Sequence, residues 1–265
     1  EIQKAIENEY GDIGATISDT FTYLGIDFTI DRKNKWTEAT MISHLQDAIQ
    51  EFEKVGNLDG RKVMTPATGT LFEVDPESPL LDERKQKSFR SIVMKLVYVA
   101  KRVRLDLLTT TAFLTTRQGK GTAQDWKKLR RLLQYVQGTI DMPFIFAADE
   151  MNRFHTFIDV AYAVNMDRKS QTGGLVTFGR GAVHGQSTKQ RLNTKSSTEG
   201  EIVGCSDYLT MPIWFRYFLQ AQGYQDVRST LYQDNTSAMK IEKNGNFYEQ
   251  EDQTYGDQVL LCMFL

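Results

Sequence analysis

The second half of the sequence consists of short strand patterns followed by helical patterns, and this order restricts the fold more than any other feature. After Gly138, turn residues separate three strand-like stretches, MPFIFAA, RFHTFIDVAYAV and TGGLVTFGRGAVHGQST. Residues 197–209 and 212–223 have helical spacing, and a further strand at 230–234 precedes a helix at 236–243. Strands first, then helices alternating with another strand, predict an α/β layer fold.

The first half of the sequence is predicted to be mainly helical. Apolar residues recur at helical spacing in the segments 41–56, 88–108 and 122–138. Residues 21–31 alternate like a strand or hairpin arm, and residues 57–82 hold three of the five prolines and are predicted to form a loop. We place a domain boundary near residue 140, which divides the chain into 1–140 and 141–265.

The composition is typical of an ordinary soluble domain, with 40% hydrophobic and 25% charged residues. No window approaches the roughly 18 consecutive apolar residues of a membrane helix, so we expect no membrane partner. Cys205 and Cys262 offer neither a disulfide framework nor zinc spacing, which favours a reducing compartment. The sequence starts at Glu1 without a signal peptide, so we expect a fragment that is not secreted.

Basic residues are concentrated in one segment of the chain. Residues 84–131 contain 14 Lys and Arg against Asp106 and Asp125, a balance of +12; since the whole chain carries −2, the rest carries −14. Such an imbalance predicts a surface for a polyanion such as nucleic acid, although a solvated basic face would give the same pattern. The candidate nucleic-acid contacts are Lys101, Arg102, Arg104, Lys127, Lys128, Arg130 and Arg131.

Acidic residues of the second half occupy positions that suit a metal site. Asp159 lies within an apolar strand, Asp234 ends a strand, and Glu199 and Glu201 lie at the start of a helix. An acid in an apolar strand is costly to bury unless it is paired, hydrogen-bonded or metal-bound. Converging carboxylates would suit Mg²⁺ or Mn²⁺, and two such ions can catalyse phosphodiester hydrolysis. From spacing alone a structural alternative stays open, with Asp159 exposed on an edge strand, the glutamates favouring a helix N-terminus and Asp234 as a cap.

Eight short motifs occur in an order that resembles the Pol polyproteins of Ty1/copia-type retrotransposons. DRKSQTGG (167–174), KSSTEGE (195–201), IWFRYFLQAQG (213–223) and LYQDNTSAMKIEKN (231–244) resemble the ribonuclease H domain of that family. YLGIDF (23–28), TP (65–66), FRSIVMKLVYVAKRVRLDL (89–107) and DWKKLRRLLQYVQGT (125–139) resemble the reverse transcriptase region that precedes it. The motifs cover nearly the whole chain, and their common order makes the resemblance specific.

The resemblance implies a fold, a reaction and a site. The fold would be a ribonuclease H-like mixed sheet with flanking helices, preceded by mainly helical thumb and connection elements of a reverse transcriptase. The reaction would be hydrolysis of the RNA strand of an RNA–DNA hybrid, with Mg²⁺ or Mn²⁺ held by Asp159, Asp234 and one glutamate. Glu201 is favoured over Glu199 because it directly precedes an apolar helical run, and residues two apart on a helix point about 200° apart, so only one can face the metals.

The resemblance also implies partners and a location. The partners would be an RNA–DNA hybrid or another nucleic acid, together with the remainder of the Pol polyprotein. The location would be a virus-like particle in the cytoplasm, or the nucleus.

Several positions depart from the resembled pattern. Ala161 stands where the family has a second aspartate, and Val164 stands where it has a glycine. The motif that carries a fourth carboxylate is missing after residue 244, where Asp252 and Asp257 are available outside any matching motif. The paired aspartates of a polymerase are absent, so we expect no polymerase activity. A catalytically inactive remnant that binds nucleic acid therefore stays open as the alternative function.

The histidines and one cysteine are predicted to be structural. His44, His155 and His184 show no metal-ligand spacing. Cys205 lies on an apolar helix face, which favours a core position over a nucleophile.

Overall fold

The computed structural model describes residues 2–14 and 18–244 and shows a mixed α/β protein with two sheets and flanking helices. The helices are α1 (Ile2–Tyr10), α2 (Ile42–Glu53), α3 (Glu83–Ala100), α4 (Leu108–Thr115), α5 (Ala123–Gly138), α6 (Ser197–Tyr208), α7 (Thr210–Ala221) and α8 (Thr236–Asn244), with a 3-10 helix at Leu105–Leu107. The strands are β1 (Thr20–Tyr23), β2 (Ile26–Asp31), β3 (Trp36–Thr40), β4 (Phe144–Ala148), β5 (Arg153–Ala161), β6 (Gln171–Thr177), β7 (Gly179–Arg180), β8 (Ala182–Lys189) and β9 (Arg228–Tyr232). The predicted α/β class is confirmed at this level. Within the described ranges, no helix is long and apolar enough to cross a membrane.

The first sheet has the strand order β1-β2-β3-β4-β7, and all of its pairs are antiparallel. Its hairpin between β2 and β3 is fixed by Asp31, which accepts a hydrogen bond from the backbone N–H of Asn34 at 2.8 Å. The first half of the chain is therefore less purely helical than its apolar periodicity predicts. β4 pairs with β3, so a strand from beyond residue 140 completes this sheet.

α2, α3 and α5 pack around an apolar core, against which side chains of β2 and β4 also pack. α5 begins at Ala123, within one residue of the predicted start, and is capped by Thr122, which forms reciprocal side-chain to backbone hydrogen bonds with Asp125. Trp126 stacks on Phe52 of α2 with ring centroids 4.7 Å apart and packs, partly buried, against this core. The buried residues of this core include Leu45, Phe89, Ile92, Leu96, Leu129, Leu132 and Leu133.

α3 begins and ends earlier than the predicted helix at 88–108. Asp82 caps its start by accepting a hydrogen bond from the backbone N–H of Lys85 at 2.8 Å, well before the apolar stripe begins at Phe89. The helix ends after Ala100, and three residues beyond its C-cap Lys101 the backbone of Arg104 has a φ of −131° and its side chain is buried.

The second sheet is mixed and has the strand order β8-β6-β5-β9. β5, β6 and β8 are antiparallel neighbours, whereas β9 runs parallel to β5 after a crossover through α6 and α7. α6 packs on the face of β5 that buries Phe154, Ile158 and Val160. The opposite face of β5 is exposed at Phe157 and Asp159. Because β5 and β9 are parallel neighbours, the C-terminal ends of both strands lie at one edge of the sheet.

The two sheets are associated with separate apolar cores. The buried residues of the second core are Phe154, Ile158, Val176, Phe178, Cys205, Tyr208, Leu219, Val227, Leu231 and Met239. Along the chain the change of core falls between Phe146 and Phe154, and the two parts touch where α4 packs on β8. The boundary near residue 140 stays a prediction, since the strand that follows it pairs with the first sheet.

Candidate functional site

Asp159 and Asp234 are neighbours across the parallel strand pair. The register pairs Phe157 of β5 with Tyr232 of β9, and each aspartate follows two residues further along the same direction. Asp159 is exposed on β5, so its carboxylate does not carry the cost of burial in an apolar strand. The structural alternative is inaccurate in placing Asp159 on an edge strand, because β5 lies between β6 and β9.

Glu201 reaches the same edge of the sheet from α6. The helix is capped by Ser196, whose Oγ accepts a hydrogen bond from the backbone N–H of Glu199 at 3.1 Å. Gly204 allows a close approach of α6 to β5, since a Cβ at this position would lie 2.5 Å from Cγ2 of Val160. Glu201 precedes Gly204 by about one helical turn, and it is held against the sheet with 5% of its surface exposed.

The three carboxylates meet at this edge. One carboxylate oxygen from each of Asp159, Glu201 and Asp234 can be chosen so that all three atoms lie within 4.8 Å of one another. Asp159 and Asp234 are exposed and Glu201 is buried, so the cluster is open to solvent on one side and enclosed by protein on the other. The structure therefore brings together the acids that the sequence analysis selected from three separate elements.

The ionisation of Glu201 reflects this crowding. Burial, followed by the negative charges of Asp159 and Asp234, raises the pKa of Glu201 to about 7. Hydrogen bonds from the side chain of Gln233 and the backbone N–H of Val160 act in the opposite direction. Three close oxygen donors with mutual repulsion form a set that suits a hard divalent cation, because the cation would replace repulsion by attraction.

The runner-up Glu199 does not join the cluster. Its Oε2 accepts a hydrogen bond from the backbone N–H of Lys195 at 2.7 Å, and its side chain is exposed. Together with the hydroxyl of Ser196, this contact satisfies backbone donors at the start of α6 and gives Glu199 a structural role. Asp252 and Asp257, the acids available as a fourth carboxylate, lie outside the described residues.

Three basic side chains of α5 hold the loop at 57–82 against the helix. The contacts are an ion pair between Arg130 and Asp59 at 2.5 Å, a hydrogen bond from Arg131 to Oγ1 of Thr65 at 2.9 Å, and a hydrogen bond from Lys128 to the backbone carbonyl of Glu73. Burial also lowers the pKa of Lys128, the direction expected for a half-buried ammonium group. These side chains have partners within the chain, and their role in nucleic-acid binding stays a prediction.

Arg104 is wrong as a predicted nucleic-acid contact, because it is 2% exposed. Its guanidinium forms an ion pair with Asp106 at 2.8 Å and donates hydrogen bonds to the backbone carbonyl and Oγ1 of Thr139, at 3.0 Å and 2.8 Å. A buried guanidinium requires such partners, and these contacts join the turn after α3 to the end of α5. The sequence RLD at 104–106 thus has a structural role here.

The other three basic candidates lie nearer the surface. Arg102 lies over the ring of Tyr98, with 3.5 Å between the guanidinium carbon and the ring centroid. Lys101 and Lys127 are exposed. Lys101 and Lys127 are therefore the predicted nucleic-acid contacts whose exposure best suits that role.

The histidines and Cys205 occupy structural positions, as predicted. His44 stacks on Tyr98 with ring centroids 5.5 Å apart, Nδ1 of His155 lies 3.0 Å from the hydroxyl of Tyr232, and Nδ1 of His184 lies 2.9 Å from the hydroxyl of Tyr208. Cys205 belongs to the second core and is buried.

Sequence analysis missed the contribution of Gln233 to this site. Gln233 is 3% exposed, and its Nε2 lies 3.4 Å from both Oε2 and the backbone oxygen of Glu201. The alternation of the strand pattern at 230–234 contained a signal, since Gln233 shares the buried face with Leu231. A polar side chain on a buried face needs a hydrogen-bond partner. For Gln233 this partner is Glu201, one of the three candidate metal ligands.

Comparison with known proteins supports the resemblance found in the sequence. No protein-family model matches the chain. The retrovirus-related Pol polyprotein from transposon TNT 1-94 of Nicotiana tabacum is 25% identical over 230 residues, which are 85% of this chain and 17% of that polyprotein. The transposon Ty1-LR2 Gag-Pol polyprotein of Saccharomyces cerevisiae is 24% identical over 248 residues, which are 91% of this chain and 14% of that polyprotein.

The matches extend over most of this chain at modest identity. The transposon TyH3 Gag-Pol polyprotein of Saccharomyces cerevisiae also matches 91% of the chain at 24% identity. The chain spans less than one fifth of the length of these curated relatives. The resemblance to a segment of Ty1/copia-type Pol polyproteins is confirmed by these homologues.

Proposed function

This chain is a homologue of one segment of Ty1/copia-type retrotransposon Pol polyproteins, and on that premise we propose that it is a ribonuclease H-like nuclease. Its reaction would be metal-dependent hydrolysis of the RNA strand of an RNA–DNA hybrid. The observation that carries the proposal is the meeting of Asp159, Glu201 and Asp234 within 4.8 Å. The order of motifs around these acids, which resembles the ribonuclease H region, supports the choice of substrate.

The donor set fits Mg²⁺ or Mn²⁺. All three ligands are carboxylates, and two of them are exposed, so an ion and a phosphate would have access from solvent. When bound, two such ions would activate a water molecule and stabilise the leaving oxygen of the phosphodiester. Because the pKa of Glu201 is about 7, we expect the cluster to release a proton when it takes up metal near neutral pH.

The protein itself would supply the positions of the ligands. The parallel register of β5 and β9 brings Asp234, two residues beyond the end of β9, beside Asp159. The close approach at Gly204 fixes Glu201 on the protein side of the cluster. Ligands on rigid elements hold a metal at a defined distance from a substrate, which is a requirement of positional catalysis.

The rival function is nucleic-acid binding without hydrolysis. It is favoured by Ala161, which is exposed two residues after Asp159 and adds no carboxylate to the cluster. Exposed Lys101 and Lys127 would then contribute to a basic binding surface. This function would show salt-sensitive hybrid binding and no metal-dependent cleavage.

A cleavage assay with a matched control separates the two functions. The substrate is an RNA–DNA hybrid labelled on the RNA strand, incubated with the protein in Mg²⁺ or Mn²⁺ and, separately, in a chelator. We expect metal-dependent cleavage by the wild type, its loss in Asp234→Asn, and its retention in Asp207→Asn, which changes an exposed aspartate of α6. Cleavage that survives Asp159→Asn and Asp234→Asn together would discard the nuclease assignment. Hybrid binding without any cleavage would support the rival.

A further inference from the structure

We infer that Gln233 is a positioning residue of the acid cluster, which holds the Glu201 carboxylate in the orientation that metal binding requires. The inference rests on the proposed metal site and adds to it a residue that is not an acid. Its basis is the pair of contacts that one amide group makes with Glu201.

The contacts join Gln233 to both the main chain and the side chain of Glu201. Nε2 of Gln233 lies 3.4 Å from the backbone oxygen of Glu201 and 3.4 Å from its Oε2. An amide N–H₂ group has two hydrogens, so it can donate to both oxygens at once. The carboxylate of Glu201 is thereby tied to its own backbone oxygen through the amide of Gln233, which restricts its rotation about the side-chain bonds.

The position of Gln233 also links two of the three parts of the chain that carry the candidate ligands. Gln233 directly precedes Asp234 after the end of β9, whereas Glu201 belongs to α6. A displacement of the strand end relative to the helix would therefore strain the amide contacts and the ligand distance together. Gln233 thus couples the position of the Glu201 carboxylate to that of Asp234.

Packing of the core alone does not explain an amide side chain at this buried position. Among the described residues, Oε1 of Gln233 has no hydrogen-bond partner, although the side chain is 3% exposed. A buried acceptor without a partner is destabilising, and an apolar side chain of similar size would avoid this cost. The contact with Glu201 is the feature that an apolar replacement would remove.

Metal ligands are commonly oriented by hydrogen bonds from residues outside the coordination sphere. Removing such a partner weakens metal affinity by about 10- to 100-fold. We expect Gln233→Met, which keeps the volume and removes the donor, to weaken Mn²⁺ binding by about tenfold or more. Gln233→Asn should act in the same direction, because its amide is one methylene shorter.

The test measures Mn²⁺ affinity by calorimetric titration of the full chain, well below the unfolding temperature of each variant. Leu231→Ala is the matched control, since Leu231 is buried on the same strand face and belongs to the second core. It should lower the unfolding temperature but leave Mn²⁺ affinity within about twofold, because it removes packing and no contact with Glu201. Gln233→Met should show the opposite pattern, a small change in unfolding temperature and a large loss of affinity.

Each outcome decides the inference. Wild-type binding with unchanged affinity in Gln233→Met would overturn it and leave the proposed metal site intact. An affinity loss in Gln233→Met that Leu231→Ala matches would also overturn it, because a general loosening of the strand would then explain both. If Gln233→Met does not fold, Gln233→Asn takes its place with the same criteria. No Mn²⁺ binding by the wild type would reject the proposed metal site itself, and the inference with it.

Discussion

The acid cluster and the basic helix α5 show opposite relations between distance along the chain and distance in space. Asp159, Glu201 and Asp234 are far apart in the chain, yet β5, α6 and the end of β9 bring their carboxylates together. Arg130 and Arg131 are adjacent in the chain, yet they bind different residues of one loop. A concentration of charge in a sequence therefore does not predict a concentration of available charge on the surface.

The two regions also differ in how their charges are compensated. Arg130 has a carboxylate partner, and the guanidinium of Arg104 is both ion-paired and hydrogen-bonded. Glu201 instead faces two further carboxylates, and its pKa is raised to about 7. Titratable groups that are perturbed by burial and like charge are concentrated at functional sites, because a stable core has no use for them.

The largest expected effect concerns stability, on the basic side of this comparison. Arg104→Ala should lower the free energy of unfolding by about 3 kcal/mol, because it breaks a buried ion pair and leaves the carbonyl of Thr139 without its donor. Lys101→Ala, at an exposed position, should change it by no more than about 0.5 kcal/mol. Denaturant unfolding measures both values. A stable Arg104→Ala variant with weakened hybrid binding would break the comparison.

Glu201→Gln is expected to stabilise the protein at high pH when metal is absent. The pKa of Glu201 is raised from 4.5 to about 7, so the folded state holds a proton that the unfolded state loses between these values. Wild-type stability from this group is therefore lost as pH rises from about 4.5 through about 7, and Gln has no such titration. The variant should exceed the wild type by about 3 kcal/mol at pH 8 and by almost nothing near pH 4.

Thermal or denaturant unfolding across this pH range tests the prediction. Glu199→Gln is the control, because Glu199 lies outside the cluster and caps α6. It should show no gain in stability at pH 8. A Glu201→Gln variant that is less stable than the wild type at every pH would contradict the crowding of the three carboxylates.

Gly204→Ala should destabilise the protein by about 1–2 kcal/mol, although alanine favours helices. The added Cβ would lie 2.5 Å from Cγ2 of Val160, so α6 must move away from β5. Gly138→Ala, at the end of α5, is the matched control. Its added Cβ would lie 3.8 Å from side-chain atoms of Lys62, which is an ordinary van der Waals contact. Denaturant unfolding should separate the two variants. Equal stabilities would show that the close approach does not fix Glu201.

The smallest expected effect concerns the ion pair between Arg130 and Asp59. Both side chains are more than a third exposed, so Asp59→Asn should cost only about 0.2–1 kcal/mol in denaturant unfolding. In hybrid binding, Lys127→Gln should reduce the slope of log affinity against log salt by about 1, whereas Arg130→Gln should leave it nearly unchanged. Equal losses of slope in the two variants would show that Arg130 contacts nucleic acid as Lys127 does.

The elements that sequence predicted well have strong local signals. α5 combines a capping pair, Thr122 and Asp125, with an apolar stripe, and its start was predicted correctly. α3 was misplaced because its cap, Asp82, precedes the stripe, and because the apolar spacing continues past Ala100 into a turn that buries Arg104. The pairing of β3 with β4 was not predictable from local patterns, since it joins segments more than 100 residues apart.

In the candidate site, too, residues with a local sequence signal could be predicted, and residues whose role depends on tertiary contacts could not. Asp159 could be selected because it interrupts an apolar strand pattern. Glu201 and Asp234 could be selected because they lie at a helix start and a strand end within the resembled motifs. The partners of Lys128, Arg130 and Arg131 lie in the loop at 57–82. This loop has no hydrophobic periodicity that could indicate its contacts. Gln233 escaped notice because its role depends on the position of α6 relative to β9, which no local pattern specifies.

The central claim is that the three carboxylates share a divalent cation. Anomalous diffraction from crystals soaked with Mn²⁺ tests it most directly, because the signal locates the ion without reference to activity. The account predicts an anomalous peak bridged by oxygens of Asp159, Glu201 and Asp234 in the wild type, and no such peak in crystals of Asp234→Asn. Wild-type crystals that show Mn²⁺ bound elsewhere, with no peak between these three side chains, would contradict it.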